Sequence, residues 1–218
     1  MDWYPLWLSL RVATLATLIV AVVGVAGGYA LAKWRFPGRG LVEALASLPI
    51  VLPPTVLGYY LLVVLGRRSP IGRAWEALTG APLVFTWQAA VLAAAVASLP
   101  FCLRTVRAAI AAVDARFEEA ARVAGLPEWR VALVVTIPLA ARGISAGITL
   151  GFARALGDFG TTVMVAGNIP GRTQTMPIAV YDRVQAFDYA TAGVLAAVLA
   201  GVAVVVLVAV RALERNAT

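Results

Sequence analysis

Side chains able to do chemistry are sparse in this chain and concentrate in two places. In the stretch DARFEEAARVAGLPEWRVALVVTIP, residues 114–138, Glu118, Glu119 and Arg122 set acids and a base one helical turn apart. Farther on, Arg154 and Asp158 stand four residues apart, followed by the hydroxyls of Thr161 and Thr162. Neither group has the composition of a catalytic centre. The chain has no histidine, and its single cysteine, Cys102, lies in an apolar run, so a disulfide framework, a zinc site and a haem site all lack ligands. A serine or cysteine nucleophile has no histidine base to activate it. There is no GxxxxGK[ST] phosphate loop, so any ATP used on behalf of this chain is bound by another one. What remains is ion pairing, anion contact and mechanical linkage.

The elements that carry these residues are membrane helices. With 61% hydrophobic and only 13% charged residues and a mean hydropathy of +0.88, the chain has too little polarity to cover a water-soluble domain. It reads as an all-α, polytopic membrane protein of about five spans in a single domain. A net charge of +7 would also suit nucleic acid, but the positive residues are scattered beside apolar runs, where membrane topology accounts for them.

In chain order, Trp3, Tyr4 and Trp7 suit a membrane interface, and the lack of a basic n-region argues against a cleaved signal peptide. The expected spans are 12–32, 44–65, 83–103, 138–166 and 191–210, each long enough to cross a core of roughly 30 Å at about 1.5 Å per residue. Gly24 and Gly28 form a close-packing face on the first, and Gly143, Gly147 and Gly151 a ridge on the fourth. Pro49, Pro53 and Pro54 must kink or break the second, which suits a transport path or helix packing equally well. The segment 66–82 is expected as an external loop, and GNIPGRTQT, 167–175, as another. In the latter, Arg172, Thr173, Gln174 and Thr175 are placed to dock a binding protein or meet an oxyanion. Lys33, Arg35, Arg39, Arg104, Arg107, Arg211 and Arg215 bias the intervening ends and the C-terminus to the cytoplasm, but Arg67, Arg68 and Arg73 of 66–82 run against that bias, so charge alone does not settle the topology; five spans with a cytoplasmic elbow at 114–137 place the N-terminus outside. Arg154 and Asp158 fall within the fourth span, where ionisable groups are costly unless paired; a structural ion pair is favoured over a substrate contact.

Residues 114–137 make a polar elbow between spans. Asp114 is an N-cap, Glu118 and Arg122 an i,i+4 pair, and Gly125 with Pro127 a helix stop; Pro127 then opens a second short helix with Glu128 in its first turn. Ala120, Ala121 and Ala124 leave one side of the first helix with little bulk. That surface fits a cleft on another protein, or else a helix resting on lipid headgroups.

The spacing Glu119, Ala120, Ala121, three residues, Gly125, nine residues, Val135, Thr136, Ile137, Pro138 resembles the EAA motif of ABC importer permeases, with Val135 and Ile137 as conservative departures. The segment ARALGDFGTTVMVAGNIPGRTQTMPIAVYD, 153–182, resembles the region that distinguishes molybdate and tungstate permeases, where Glu is more frequent at the position of Asp158 and a small apolar residue at that of Thr161. The resemblance implies a type I importer fold and a chain that is not catalytic by itself. The elbow would couple to an ATPase through Glu118, Glu119, Ala120, Ala121, Arg122 and Gly125. Pro53, Pro54, Arg154, Asp158, Thr161 and Thr162 are the candidates for the translocation path or gate. It further implies a homodimer in the plasma membrane with two cytoplasmic P-loop ATPases that bind ATP and Mg, an external oxyanion-binding protein, and no cofactor on this chain. A permease for sulfate or another oxyanion, and an ion-coupled secondary transporter, are the rival readings.

Overall fold

A computed structural model describes residues 2–216 of the chain, apart from the side chains of 210, 211 and 213–216. The side chains of Arg211 and Arg215, expected to close the last span, lie outside the described residues. The described residues form helices and turns: α1 (Tyr4–Lys33), α2 (Arg39–Val51), α3 (Pro54–Leu65), α4 (Pro70–Thr79), α5 (Trp87–Ala111), α6 (Ala115–Val123), α7 (Glu128–Val131), a π turn (Ala132–Thr136), α8 (Ile137–Leu139), α9 (Ala141–Leu156), α10 (Gly160–Ala166), α11 (Met176–Gln185) and α12 (Tyr189–Asn216).

Among the described residues, three helices are long and apolar enough to cross a membrane unaided, namely α1, α5 and the Tyr189–Ala209 part of α12. Two further crossings are bent pairs: α2 with α3, turned by 117°, and Glu128–Leu139 with α9, turned by 74°. The first break follows from Pro53 and Pro54, since a proline cannot donate the helical hydrogen bond and pushes the preceding residue into extended backbone; Leu52 has ψ 137° and Pro53 ψ 137°.

The run 138–166, expected as one helix, is divided. α9 ends at Leu156, and Gly157, Asp158 and Phe159 separate it from the short α10. The segment 66–82, expected as a plain loop, contains α4, started by the Ser69 hydroxyl accepting from Gly72 N at 2.8 Å and by Pro70 in the first helical position. Arg67 and Glu76 pair through two hydrogen bonds and hold α4 against the end of α3.

The core is a bundle of α1, α5 and α9 in which glycines bring backbones together. A Cβ on Gly24 would lie 2.8 Å from Cys102 Sγ, and one on Gly28 2.8 Å from Val106 Cγ1, so α1 and α5 run parallel without a gap. Gly147 and Gly151 set α9 antiparallel against the same stretch of α5 and against Val20 of α1. Val12, Ala16, Val20, Cys102, Val106 and Ile144 fill the space between them. Near the other end of the bundle, Arg11 lies 3.7 Å from the ring centroid of Trp87, which gives a cation on an apolar helix a partner. By contrast, a large part of α12 is exposed, with Val204, Val205 and Val208 presented outward, as a lipid-facing or partner-facing helix requires.

Candidate functional site

Two constructions bring the candidate residues together. The first is the elbow. Asp114 caps α6, its Oδ1 accepting from Arg116 N at 2.9 Å. Beyond Val123 the chain closes with two bonds, Gly125 N to Arg122 O at 2.9 Å and Leu126 N to Ala121 O at 3.1 Å, around Gly125 at φ +83°. This is a Schellman end, and its left-handed residue favours glycine. Pro127 then caps α7, with Glu128 in the first helical position.

The resulting hairpin is exposed. Glu119, Ala120, Arg122 and Gly125 lie open, Ala121 is half-buried, and the apolar Phe117 and Val123 are 56% and 89% exposed. Arg122 donates from Nε to Glu128 Oε1 at 2.7 Å, bracing α6 against α7 and holding the Glu128 carboxyl below its ordinary range. Its distance to Glu118 Oε2 is longer, 3.8 Å, so the i,i+4 pair read from the spacing is the weaker of the two.

Glu118 departs from the expected surface role. It is 4% exposed, and its Oε1 lies 2.6 Å from Lys33 Nζ and accepts from Thr136 Oγ1 at 2.6 Å. Burial alone would raise its pKa, but hydrogen bonds from Lys33 and Thr136 outweigh that and hold the carboxyl below its ordinary value. Toward the same end of the α1 and α5 pair, Glu43 of α2 accepts from Arg39 at 2.8 Å and lies 2.6 Å from Arg107 of α5. The spacing of the sequence singled out neither Lys33 nor Thr136; Lys33 stood only as a marker of topology.

The second construction is the contact of α3 with α10. Pro53 and Pro54 start α3 beside Gly160, where a Cβ would sit 2.7 Å from Pro54 Cβ, and a Cβ on Gly58 would sit 2.5 Å from that of Met164. Asp158 organises the break before α10: its Oδ2 accepts from Thr162 N at 3.0 Å and from Thr162 Oγ1 at 2.7 Å. Arg154 Nη1 stands 3.0 Å from Asp158 Oδ1, close enough for charge pairing though not aligned as a hydrogen bond. Thr161 is fully buried and its hydroxyl has no partner among the described residues. Arg154, Asp158 and Thr162 thus form one internal cluster, with Pro54 and Thr161 at its α3 side.

The outer-loop candidates are rearranged by the fold. Only Arg172 of the four is exposed; Thr173, Gln174 and Thr175 are buried. Gln174 Nε2 donates to Asn168 Oδ1 at 2.9 Å, Asn168 Nδ2 donates to Asp182 Oδ1 at 3.0 Å, and Thr173 Oγ1 accepts from Ile169 N at 3.1 Å. These side chains build the loop and the start of α11, and are not free to greet a ligand.

Comparison with known proteins bears on the fold and the family. The family model described as "Binding-protein-dependent transport system inner membrane component" matches residues 11–217. The molybdenum transport system permease protein ModB of Escherichia coli K12 is 44% identical over 84% of this chain and 80% of its own length, and that of Haemophilus influenzae is 40% identical over 82% and 78%. The sulfate transport system permease protein CysT of E. coli is 32% identical over 94% of this chain and 74% of its own. Among solved structures, the inward-facing MetNI methionine ABC transporter superposes with a TM-score of 0.76 at 19% identity over 98% of this chain and 94% of that one, and a bacterial alginate-importing ABC transporter with 0.77 at 15% over 99% and 79%. At those identities the structures speak for the fold, that of the membrane part of an ABC importer. A match over nearly the whole length places the chain in this family: it is a binding-protein-dependent transport system inner membrane component, a multi-pass permease subunit that is not catalytic by itself.

Proposed function

We propose that this chain is the translocating subunit of an ATP-driven importer for molybdate, with tungstate as a second substrate, and that it works as a homodimer. Two ATPases, each holding ATP and Mg, dock from the cytoplasm on the two elbows, and an external binding protein delivers the oxyanion to the opposite face. The orientation follows from that docking. The elbow stands at the end of the bundle where α1 and α5 finish, whereas Tyr4 is at the other end, its hydroxyl donating to Arg172 O at 3.3 Å. The N-terminus is then outside and the C-terminal end of α12 inside.

The observation that carries the coupling part of this reading is the elbow. A helix that leaves Phe117 and Val123 in the open beside small alanines, closed by a rigid glycine turn, has the shape of a knob for a protein cleft. The substrate part rests on the likeness to molybdenum permeases, which exceeds that to the sulfate permease. ATP draws the ATPases together, the elbows follow, and the helices open outward to admit the anion; hydrolysis resets them. Contacts along the path are weak, so that release is not slowed. Thr162 spends its hydroxyl on Asp158 and Thr161 is enclosed, so side-chain contacts from these two require the α3–α10 contact to open.

The test is uptake of molybdate by membrane vesicles that hold this chain with its ATPase and binding protein. ATP-dependent uptake that excess tungstate suppresses and excess sulfate does not is the expected result. Uptake that prefers sulfate would move the substrate assignment, and uptake that survives ATP depletion would overturn the coupling.

A further inference from the structure

Among the described residues of α6, Glu118 alone is buried. Its carboxylate joins three elements distant in sequence: the last residue of α1 through Lys33, the last residue of the π turn through Thr136, and α6 itself. The route from the elbow along its own chain is soft. The π turn replaces ordinary helical bonds, Pro138 cannot donate one, and the 74° bend at Ala140 follows at once. The route through Lys33 is stiff, because α1 is a continuous helix whose Gly24 and Gly28 leave no space against Cys102 and Val106 of α5.

We propose that Glu118 is a positioning residue that fastens the elbow to α1, so that displacement of the elbow is delivered directly to the α1 and α5 pair as well as along the chain to α9. The EAA residues meet the ATPase; Glu118, one residue earlier and turned inward, transmits the result. This rests on the reading of the elbow as the ATPase contact.

The experiment uses the complete complex, with its ATPase and binding protein, in proteoliposomes, and reads molybdate imported per ATP hydrolysed. Lys33→Met should keep the ATPase bound and hydrolysing while the ratio falls about fivefold or more, in the range of ordinary coupling between sites. Glu118→Lys alone should do the same or worse, and the exchange Lys33→Glu with Glu118→Lys should recover at least half of the ratio. A wild-type ratio in Lys33→Met, or an exchanged pair no better than its single members, would overturn the proposal. Should a single variant accumulate poorly, the ratio is read per assembled complex, and a normal ratio there counts against the linkage in the same way. Cross-linking from Val123→Cys to the ATPase tests the docking reading separately; its failure in an otherwise wild-type complex overturns that reading and the linkage with it. A wild type that imports sulfate in place of molybdate shifts only the substrate, and the ratio is then read with sulfate and judged identically.

Discussion

The elbow and the α3–α10 contact are both interruptions of helix, yet they are held by opposite means. At the elbow, polar groups carry the structure: a Schellman glycine, the Arg122 to Glu128 brace and one buried carboxylate between Lys33 and Thr136. At the α3–α10 contact, close approach carries it, with Gly58 and Gly160 admitting Met164 and Pro54, and Asp158 satisfying the freed Thr162 amide. The difference matches what surrounds each. An interruption facing water can hold exposed charges and a partner protein, whereas one at membrane depth must satisfy every backbone group internally and exclude bulk.

Removing polarity should therefore damage the elbow, and adding bulk should damage the break. Glu118→Ala leaves Lys33 and Thr136 without their acceptor and should cost about 3 kcal/mol, read as a lowered unfolding temperature of the solubilised protein. The same carboxyl gives a pH signature. Its folded pKa lies below the ordinary 4.5, so its contribution is complete above that value and is lost as the pH falls through the lower folded value. Glu118→Gln should flatten that acid limb, and an unchanged limb would show that another carboxylate is responsible.

Gly58→Leu comes next, at about 2 kcal/mol, because Met164 and the Thr161 carbonyl occupy the space the side chain would need. The expected outcome is loss of uptake with the ATPase still bound, since the elbow is untouched. Gly125→Val follows, costing roughly 1 to 2 kcal/mol from its positive φ alone, since nothing lies within 4 Å of the added Cβ. The chain should insert normally and lose ATPase association or coupling; unimpaired uptake would count against the elbow's role. Arg122→Ala should have the smallest effect on stability, because its pair with Glu128 is exposed and screened by salt. A large loss of ATPase binding without a change in melting would then mark Arg122 as a contact for the partner.

Much of the local structure was legible. Gly125 followed by Pro127 announces the turn that occurs, Pro53 and Pro54 announce the break before α3, and the Gly24 and Gly143 series announce the faces on which α1 and α9 pack. The start of α4 at Ser69 and Pro70 was not read from the sequence, where 66–82 passed for loop. The division of 138–166 was harder to see, because its apolar run resumes directly after GDFG and the acceptance by Asp158 from Thr162 N, which starts α10, shows only in the fold. Thr173 and Gln174 looked like a polar outer loop because their hydrogen-bonding partners, Ile169 and Asn168, are identified only by the turn, and Thr175 because its burial follows from the approach of α1, whose Ser9 accepts from the neighbouring Met176 N.

The sequence by itself determined the helical membrane class, the elbow and its terminating glycine, because hydropathy, proline and left-handed turns act over a few residues. Only the tertiary structure decided the fate of Glu118. Spacing offers it Arg122 one turn away, but Lys33 arrives from 85 positions earlier to take it at 2.6 Å, and burial then favours the shorter, hydrogen-bonded pair. Local rules cannot report which distant charge a fold will bring within reach, and in this protein that choice separates a surface acid from the joint between the elbow and the bundle.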